Sequence, residues 1–204
     1  MKRRLRFPGA LVGIWLAGVS CQGRMTTSVA PASLTLTQLV AIDAQGQTRP
    51  TLDYDLCAQT PQGIIPSLLG QVSVSNGPGV VDANGVSLND VRLTRYRVEY
   101  TRYDGRSTPL VDVPLAFEAG NEITIGAGET KTLQILLLRA VALTEPPLLQ
   151  LAEGIGLKEI RGDIVVTFSG SEMSGHPVSV SGSTPFWFHC AKHPNAECGM
   201  RSAE

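Results

Sequence analysis

The chain has 204 residues and a formal net charge of −1, and 43% of its residues are hydrophobic while 17% are charged. This balance excludes an intrinsically disordered chain, which combines low hydrophobicity with high net charge, and it excludes the strongly basic surface that binds nucleic acid. Its 21 glycines and 13 prolines, together with many Val, Ile and Thr residues, favour strands and turns over helices.

The first segment of the chain has the layout of an export signal. Residues 1–6 carry four basic side chains, residues 11–21 are largely apolar, and small residues lead into Cys21. The apolar run is too short to span a bilayer, which takes about 20 such residues. Residues 1–20 are therefore predicted to be a signal peptide, and the short run disfavours an uncleaved anchor.

Cys21 is predicted to carry a lipid. Gly18, Val19, Ser20 and Cys21 resemble the lipobox of bacterial lipoproteins, in which the cysteine is lipidated and becomes the first residue of the mature chain. An ordinary cleaved secretory signal is the alternative. The following residue is Gln22 rather than the Asp that usually retains such lipoproteins in the inner membrane. The resemblance implies a lipid-anchored protein of the cell envelope, with the outer membrane favoured if the host has one.

Removal of the leader leaves a chain with three predicted parts. It takes away four of the 17 basic residues and none of the 18 acidic ones, so the net charge becomes −5. This charge argues against nucleic acid and against anionic headgroups as partners. Residues 21–33 lack periodicity and are predicted to be a flexible tether, residues 34–190 a folded domain, and residues 191–204 a tail.

Alternating apolar residues predict the first strands of the domain. The first strand, residues 34–42, has four apolar side chains in one phase, Leu34, Leu36, Val40 and Ile42. Residues 52–57 give a short second strand, and residues 72–74 mark a third. Turn residues rich in Gly, Pro and Asn separate these segments.

Residues 90–103 predict the longest strand. Its core-facing phase changes near Thr94 and Arg95, and such a change is typical of a β-bulge. Asp104 and Gly105 then predict a hairpin turn, and the return strand is predicted at residues 111–117.

The second half of the domain continues with short strands and one short helix. Strands are predicted at residues 123–125, 130–139, 164–168, 178–180 and 186–188, and the helix at residues 146–154. Residues 130–139 are apolar on both phases, which predicts a strand covered on both faces. The chain is therefore predicted to be all-β, an antiparallel immunoglobulin-like β-sandwich, with a closed barrel as the alternative.

Four segments resemble a group of uncharacterised bacterial exported lipoproteins. They are residues 91–106 (VRLTRYRVEYTRYDGR), 112–117 (DVPLAF), 139–148 (RAVALTEPPL) and 166–170 (VTFSG). In that group an R-V-x-Y-x-R-x-D-G hairpin precedes a V-P strand and an E-x-P-L turn. The resemblance covers about half of the mature chain and implies an immunoglobulin-like β-sandwich on a lipid anchor. No activity is assigned to the group, so it implies no functional residues.

Three cysteines remain beyond Cys21. An oxidising compartment favours disulfides, and the candidates are Cys57, Cys190 and Cys198. A Cys190–Cys198 bond would close a short loop, whereas a bond from Cys57 to either would attach the end of the chain to the second strand. Sequence alone leaves these pairings open. All of them predict a C-terminal tail held by a disulfide.

The same segment, residues 189–198, supplies the alternative function. His189, Cys190, His193 and Cys198 are donors suited to zinc or copper. Their spacing matches no standard zinc finger, and Pro194 discourages the helix that would bring the two histidines to one side. The disulfide is therefore favoured over the metal site.

Arginines are dense on the hairpin of residues 91–106. They could face an acidic partner, or they could pair with Glu99 and Asp104 on a solvated strand face. The second reading is favoured because cross-strand charge pairs are ordinary on sheet surfaces.

Catalytic motifs are missing from the sequence. It contains no G-x-S-x-G, H-E-x-x-H, S-x-x-K or P-loop pattern, and a non-enzymatic protein without a cofactor is expected. The sequence predicts an exported, lipid-anchored structural or protein-interaction module of the cell envelope, whose partners are the membrane, through the anchor, and an envelope protein. The alternative is a zinc- or copper-binding envelope lipoprotein.

Overall fold

Nine β-strands carry most of the structure in a computed structural model that describes residues 32–58, 67–79, 87 and 89–191. The strands are β1 (Leu34–Ile42), β2 (Thr48–Arg49), β3 (Leu52–Asp55), β4 (Leu68–Asn76), β5 (Val91–Arg102), β6 (Phe117–Ile125), β7 (Thr130–Leu138), β8 (Glu159–Glu172) and β9 (Pro177–His189). A 3₁₀ helix (Ala140–Thr144) and a short helix α1 (Leu148–Ala152) lie between β7 and β8. The all-β prediction is confirmed. No helix in this part of the chain has the length and hydropathy needed to cross a membrane.

The strands form two sheets. One has the order β2-β1-β4-β7, and the other has the order β3-β9-β8-β5-β6. All neighbouring pairs are antiparallel except β3 and β9, which run parallel. The chain passes from the first sheet to the second between β2 and β3, at Pro50 and Thr51.

Aromatic side chains of β5 join the two sheets. The Tyr100 hydroxyl donates a hydrogen bond to the Leu137 carbonyl at 2.7 Å, and the Leu136 N–H donates to the Tyr96 hydroxyl at 3.0 Å. Both bonds reach β7 at a register shift in its pairing with β4. Leu68 pairs with Leu138, whereas the next residue, Leu69, pairs with Leu136. The phenol groups therefore satisfy backbone groups at an irregular point of β7.

The sequence reading is confirmed in several places. β1 spans the residues predicted for it, and α1 lies within the predicted helix. In β5 the register shifts between Leu93 and Arg95 against both neighbouring strands, so the bulge lies where the change of phase predicted it. Leu93 and Tyr96 are consequently both buried although they are three positions apart, an odd spacing that would otherwise place them on opposite faces.

The predicted return strand at residues 111–117 is wrong. Most of this stretch is irregular, with Leu110 at a φ of 61° and an isolated bridge between Pro109 and Val113. Pro109 and Pro114 remove two backbone donors from this stretch, which prevents a regular ladder. The return strand β6 begins only at Phe117 and continues through residues 123–125.

Three other predictions need correction. β7 is an edge strand of its sheet among the described residues, and its first five residues are exposed or only partly buried, so it is not covered on both faces. Residues 178–180 and 186–188 belong to one continuous strand, β9. In β1 a register shift at Thr37 reverses the phase, so Leu39 and Ala41 are buried in place of Val40 and Ile42.

The domain has two distinct ends, set by the strand directions. At one, the Ala32 end, the Ala32 N–H donates to the Glu172 carboxylate and the Gly77 N–H donates to the Ser33 carbonyl at 2.9 Å. Val91 pairs there with both Ile125 and Glu172. The opposite end, the groove end, holds the pairs Ile42–Leu69 and Glu159–His189.

Candidate functional site

A groove of about 570 Å³ opens at the groove end, where the chain crosses between the sheets. It is lined by residues 41–45, 49–54 and 67–69. These segments are the end of β1 with its following turn, the crossover into β3, and the start of β4. The volume lies within the range of small-molecule sites, about 300–1,000 Å³.

Asp43 organises the turn at the rim of the groove. Its Oδ1 accepts hydrogen bonds from the Gln45 N–H at 3.0 Å and the Gln47 N–H at 2.8 Å, and Gly46 has a φ of 78°. An aspartate that accepts backbone N–H groups in this way holds a tight turn, and glycine tolerates the left-handed backbone at no steric cost. The bond from Gln47 contributes most to lowering the pKa of the Asp43 carboxyl.

Arg49 brings a positive charge to the same rim. Its Nε lies 2.9 Å from Asp43 Oδ2, and its side chain is 58% exposed. The Asp43 side chain is 19% exposed, so water screens mainly the Arg49 side of the pair. An ion pair with one partner so exposed adds little to stability.

The floor of the groove is apolar. Ala41, Leu52 and Leu68 belong to the buried core, and Leu69 on the wall is 38% exposed. The crossover above them is fixed by the buried Thr184 hydroxyl, which donates to the Pro50 carbonyl at 3.2 Å. The groove thus joins an apolar interior to a charged rim.

Beyond the crossover, the groove is bordered by β3. Asp53 Oδ1 lies 2.9 Å from His189 Nε2, and the His189 ring lies against Trp187 with centroids 4.5 Å apart. Burial raises the pKa of the Tyr54 phenol above its ordinary value, with a smaller effect from the Asp55 charge.

Next to this wall, Cys57 and Cys190 form a disulfide, with Cα atoms 4.9 Å apart. Asp55 Oδ1 accepts the Cys57 N–H at 2.9 Å and the Ala191 N–H at 3.2 Å, so one carboxylate braces the chain on both sides of the bond. Of the pairings left open by the sequence, the structure has the one that ties the end of β9 to the residues after β3.

The remaining predicted site residues are only partly covered by the structure. Cys21, His193 and Cys198 lie outside the described residues. His189 bonds to Asp53, and Cys190 is oxidised, so it offers no thiolate to a metal. Within the described ranges, no three His, Cys, Asp or Glu side chains lie close enough together to hold a metal ion.

Four of the five arginines of the β5 hairpin, Arg92, Arg97, Arg102 and Arg106, pair with acids as the favoured interpretation predicted, although Arg102 is buried rather than solvated. Arg97 lies 3.0 Å from Glu99, and Arg106 lies 3.1 Å from Asp104. The Glu99 bond is the largest of the effects that raise the pKa of Arg97. A second hollow, of about 580 Å³, lies on the outer face of the same sheet beside Arg95 and Pro177.

Exposed apolar side chains are concentrated at the groove end. Of nine large exposed apolar residues among those described, eight lie in that half: Leu69, Tyr103, Leu110, Val111, Leu115, Val141, Leu149 and Ile155. The ninth, Met173, lies at the Ala32 end. Sequence reasoning missed both this asymmetry and the groove, because no local pattern indicates which loops share an end.

Comparisons with known proteins add little to this description. No family model matches the chain, and no curated protein matches it. Among solved structures, it is similar to the X-ray structure of Northeast Structural Genomics Consortium target SoR45, with 8% identity and a TM-score of 0.34 over 85% of this chain and 95% of that one. A likeness of this size carries no argument about fold or function.

Proposed function

We propose that this protein is an exported lipoprotein of the cell envelope whose immunoglobulin-like β-sandwich serves as a structural or protein-interaction module. Cys21 would carry the lipid, and the proposed role is not catalytic. The observation that carries the proposal is the separation of the two ends: the chain enters the domain at Ala32, and the exposed apolar side chains lie at the opposite end.

The length of chain before the domain supports this orientation. Ten residues, 22–31, separate Cys21 from Ala32. Fully extended, they reach at most about 40 Å. A lipid on Cys21 would therefore hold Ala32 within about 40 Å of the bilayer, and the groove end is the end of the domain opposite this attachment. The apolar side chains exposed at the groove end are the surface that a protein partner would cover.

Two further observations support an export destination. The Cys57–Cys190 disulfide is the kind of bond that persists in oxidising compartments. The basic and apolar leader of residues 1–20 has the layout of a signal peptide. The two observations are independent, because one depends on the folded domain and the other on the leader.

Labelling with an alkyne-bearing fatty acid tests the anchor. The wild-type protein should take up the label and partition into the detergent phase, and Cys21→Ala should do neither. Cys198→Ser is the matched control and should behave as the wild type. Unlabelled wild-type protein that retains residues 1–20 would contradict the proposal.

Site-specific photo-crosslinking tests the interaction surface. A photoreactive residue at Leu149 of the groove end should give a discrete crosslinked product in intact envelopes. The same residue at Met173, which is more exposed than Leu149 (67% against 37%) but lies at the Ala32 end, should give none. Equal crosslinking from the two positions would contradict an oriented module.

A further inference from the structure

We propose that the groove binds a fatty acid, with the acyl chain on the apolar floor and the carboxylate on Arg49. The inference goes beyond the role as an interaction module and does not rest on lipidation of Cys21. It joins two properties of the site, an apolar interior and a single basic residue at its rim.

The interior suits an acyl chain. Leu52 and Leu68 are almost fully buried, yet both line a cavity of about 570 Å³ that opens to solvent beside Leu69. The groove is partly open to solvent, and Leu69 supplies the exposed apolar surface of its wall. An apolar ligand that displaces water from it gains the free energy of burying apolar surface.

The rim suits a carboxylate. Among the described residues, Arg49 is the one basic residue that lines the groove, and its guanidinium can bind a carboxylate through two parallel hydrogen bonds. Its present partner, Asp43, accepts the N–H groups of Gln45 and Gln47 on Oδ1, so that oxygen keeps both bonds when Arg49 turns from Oδ2 to a ligand.

The other acid at the groove opposes this arrangement only weakly. The Asp53 side chain is 56% exposed, so water screens its charge, and its Oδ1 lies 2.9 Å from His189 Nε2 outside the groove. Arg49 is therefore the group that would distinguish an acid from a neutral molecule with the same chain.

Two sources could supply the acyl chain, a free fatty acid or the lipid on Cys21 of the same molecule. A lipid attached through an amide, ester or thioether bond has no free carboxylate, so it would not depend on Arg49. We propose the free acid as the ligand, and the experiment below distinguishes it from the lipid on Cys21.

The test uses full-length protein with Cys21→Ala, titrated with the fluorescent acid 11-(dansylamino)undecanoic acid and with its methyl ester. We expect saturable binding of one acid per chain, and Arg49→Gln should weaken it about 10-fold or more, the size expected for a charge-assisted hydrogen bond. Binding of the ester should change less than about 2-fold, because the ester leaves Arg49 unused. Arg161→Gln, an exposed arginine outside the groove, is the matched control and should leave both affinities unchanged.

The chain contribution is tested separately. Unlabelled fatty acids of eight, ten and twelve carbons should displace the probe with affinities that rise about 4-fold per methylene until the groove is full. Leu69→Glu should abolish binding. Circular dichroism and the melting temperature check that each variant is folded, and Arg49→Lys should restore part of the affinity for the acid.

Three results would overturn the proposal. The first is a lack of saturable binding by folded Cys21→Ala protein. The second is equal affinity for the acid and its ester with no effect of Arg49→Gln, which would make the groove a general apolar site. The third is a probe that binds Cys21→Ala protein equally well with and without Arg49→Gln but does not bind lipidated wild-type protein. This result would assign the groove to the lipid on Cys21.

Discussion

Glu172 is a buried carboxylate beside Ala32, the first residue that the structure describes. It accepts hydrogen bonds from the Ser174 hydroxyl at 2.7 Å and from the Ala32 N–H, and His176 Nδ1 lies 3.5 Å away. The Ser174 bond contributes most to lowering the pKa of Glu172 below its ordinary value of 4.5, followed by the bond from Ala32. The charged form of Glu172 therefore stabilises the folded state.

This arrangement predicts a pH dependence of stability. A carboxyl whose pKa is lowered on folding contributes stability above its ordinary pKa, and that contribution is lost as the pH falls through the lowered value. Glu172→Gln should lower the free energy of unfolding at pH 7 by about 1–3 kcal/mol. In this variant the free energy of unfolding should also fall less steeply below pH 4.5 than in the wild type, as measured by urea unfolding at several pH values. Parallel loss in variant and wild type would contradict the prediction.

At the scale of an element, β9 shows why prolines lie where they do. Its pairing with β8 continues without a shift from Pro177 to His189. The His189 carbonyl accepts the Leu56 N–H at 2.8 Å, so the backbone groups of His189 point away from β8. Successive residues of a strand point their backbone N–H and C=O groups to alternate sides, so the other odd-numbered residues of β9 also point theirs away from β8. Pro177 and Pro185 are odd-numbered, and their missing N–H groups remove nothing from the ladder with β8.

The alternating direction of the backbone N–H groups along β9 predicts different outcomes for two proline substitutions. At Ser183 the N–H faces away from β8, where no described strand pairs with that residue, so Ser183→Pro should change the melting temperature little. At Val180 the N–H faces β8, so Val180→Pro should cost about 3 kcal/mol or more. Thermal unfolding by circular dichroism measures both. Equal destabilisation would show that the assumed alternation is wrong.

At the scale of the whole molecule, the disulfide closes a very long loop. Cys57 and Cys190 are 133 residues apart, and their bond ties the parallel strand β3 to the end of β9 at the groove end. Cross-links that close long loops restrict the unfolded chain most, and removal of a native disulfide typically costs 2–5 kcal/mol. The bond thus stabilises the wall of the groove together with the whole domain.

Removal of the disulfide should therefore have a global effect. Cys57→Ser with Cys190→Ser should lower the free energy of unfolding by about 2–5 kcal/mol in urea. Reductant should bring the wild type to the same midpoint and leave the double variant unchanged. A wild type whose midpoint does not respond to reductant would contradict the prediction.

The sequence by itself determined the features that depend on neighbouring residues. Alternation set the bounds of β1 and the all-β class, and the change of phase at Thr94 located the bulge in β5. Gly105, at a φ of 81°, lies in the turn that its sequence predicted. These are local effects, because side chains alternate along a strand and glycine tolerates backbone that other residues avoid.

Tertiary structure alone decided the pairing of Cys57 with Cys190, the reversal of phase at Thr37 and the groove beside Arg49. Each depends on which strands become neighbours. The crossover at Pro50 brings Asp43 and Asp53 to one cavity, and the parallel pairing of β3 with β9 brings the two cysteines together. A local pattern fixes which face of a strand is apolar, but the strand order is set by packing of the whole core, so these contacts could not be read from the chain.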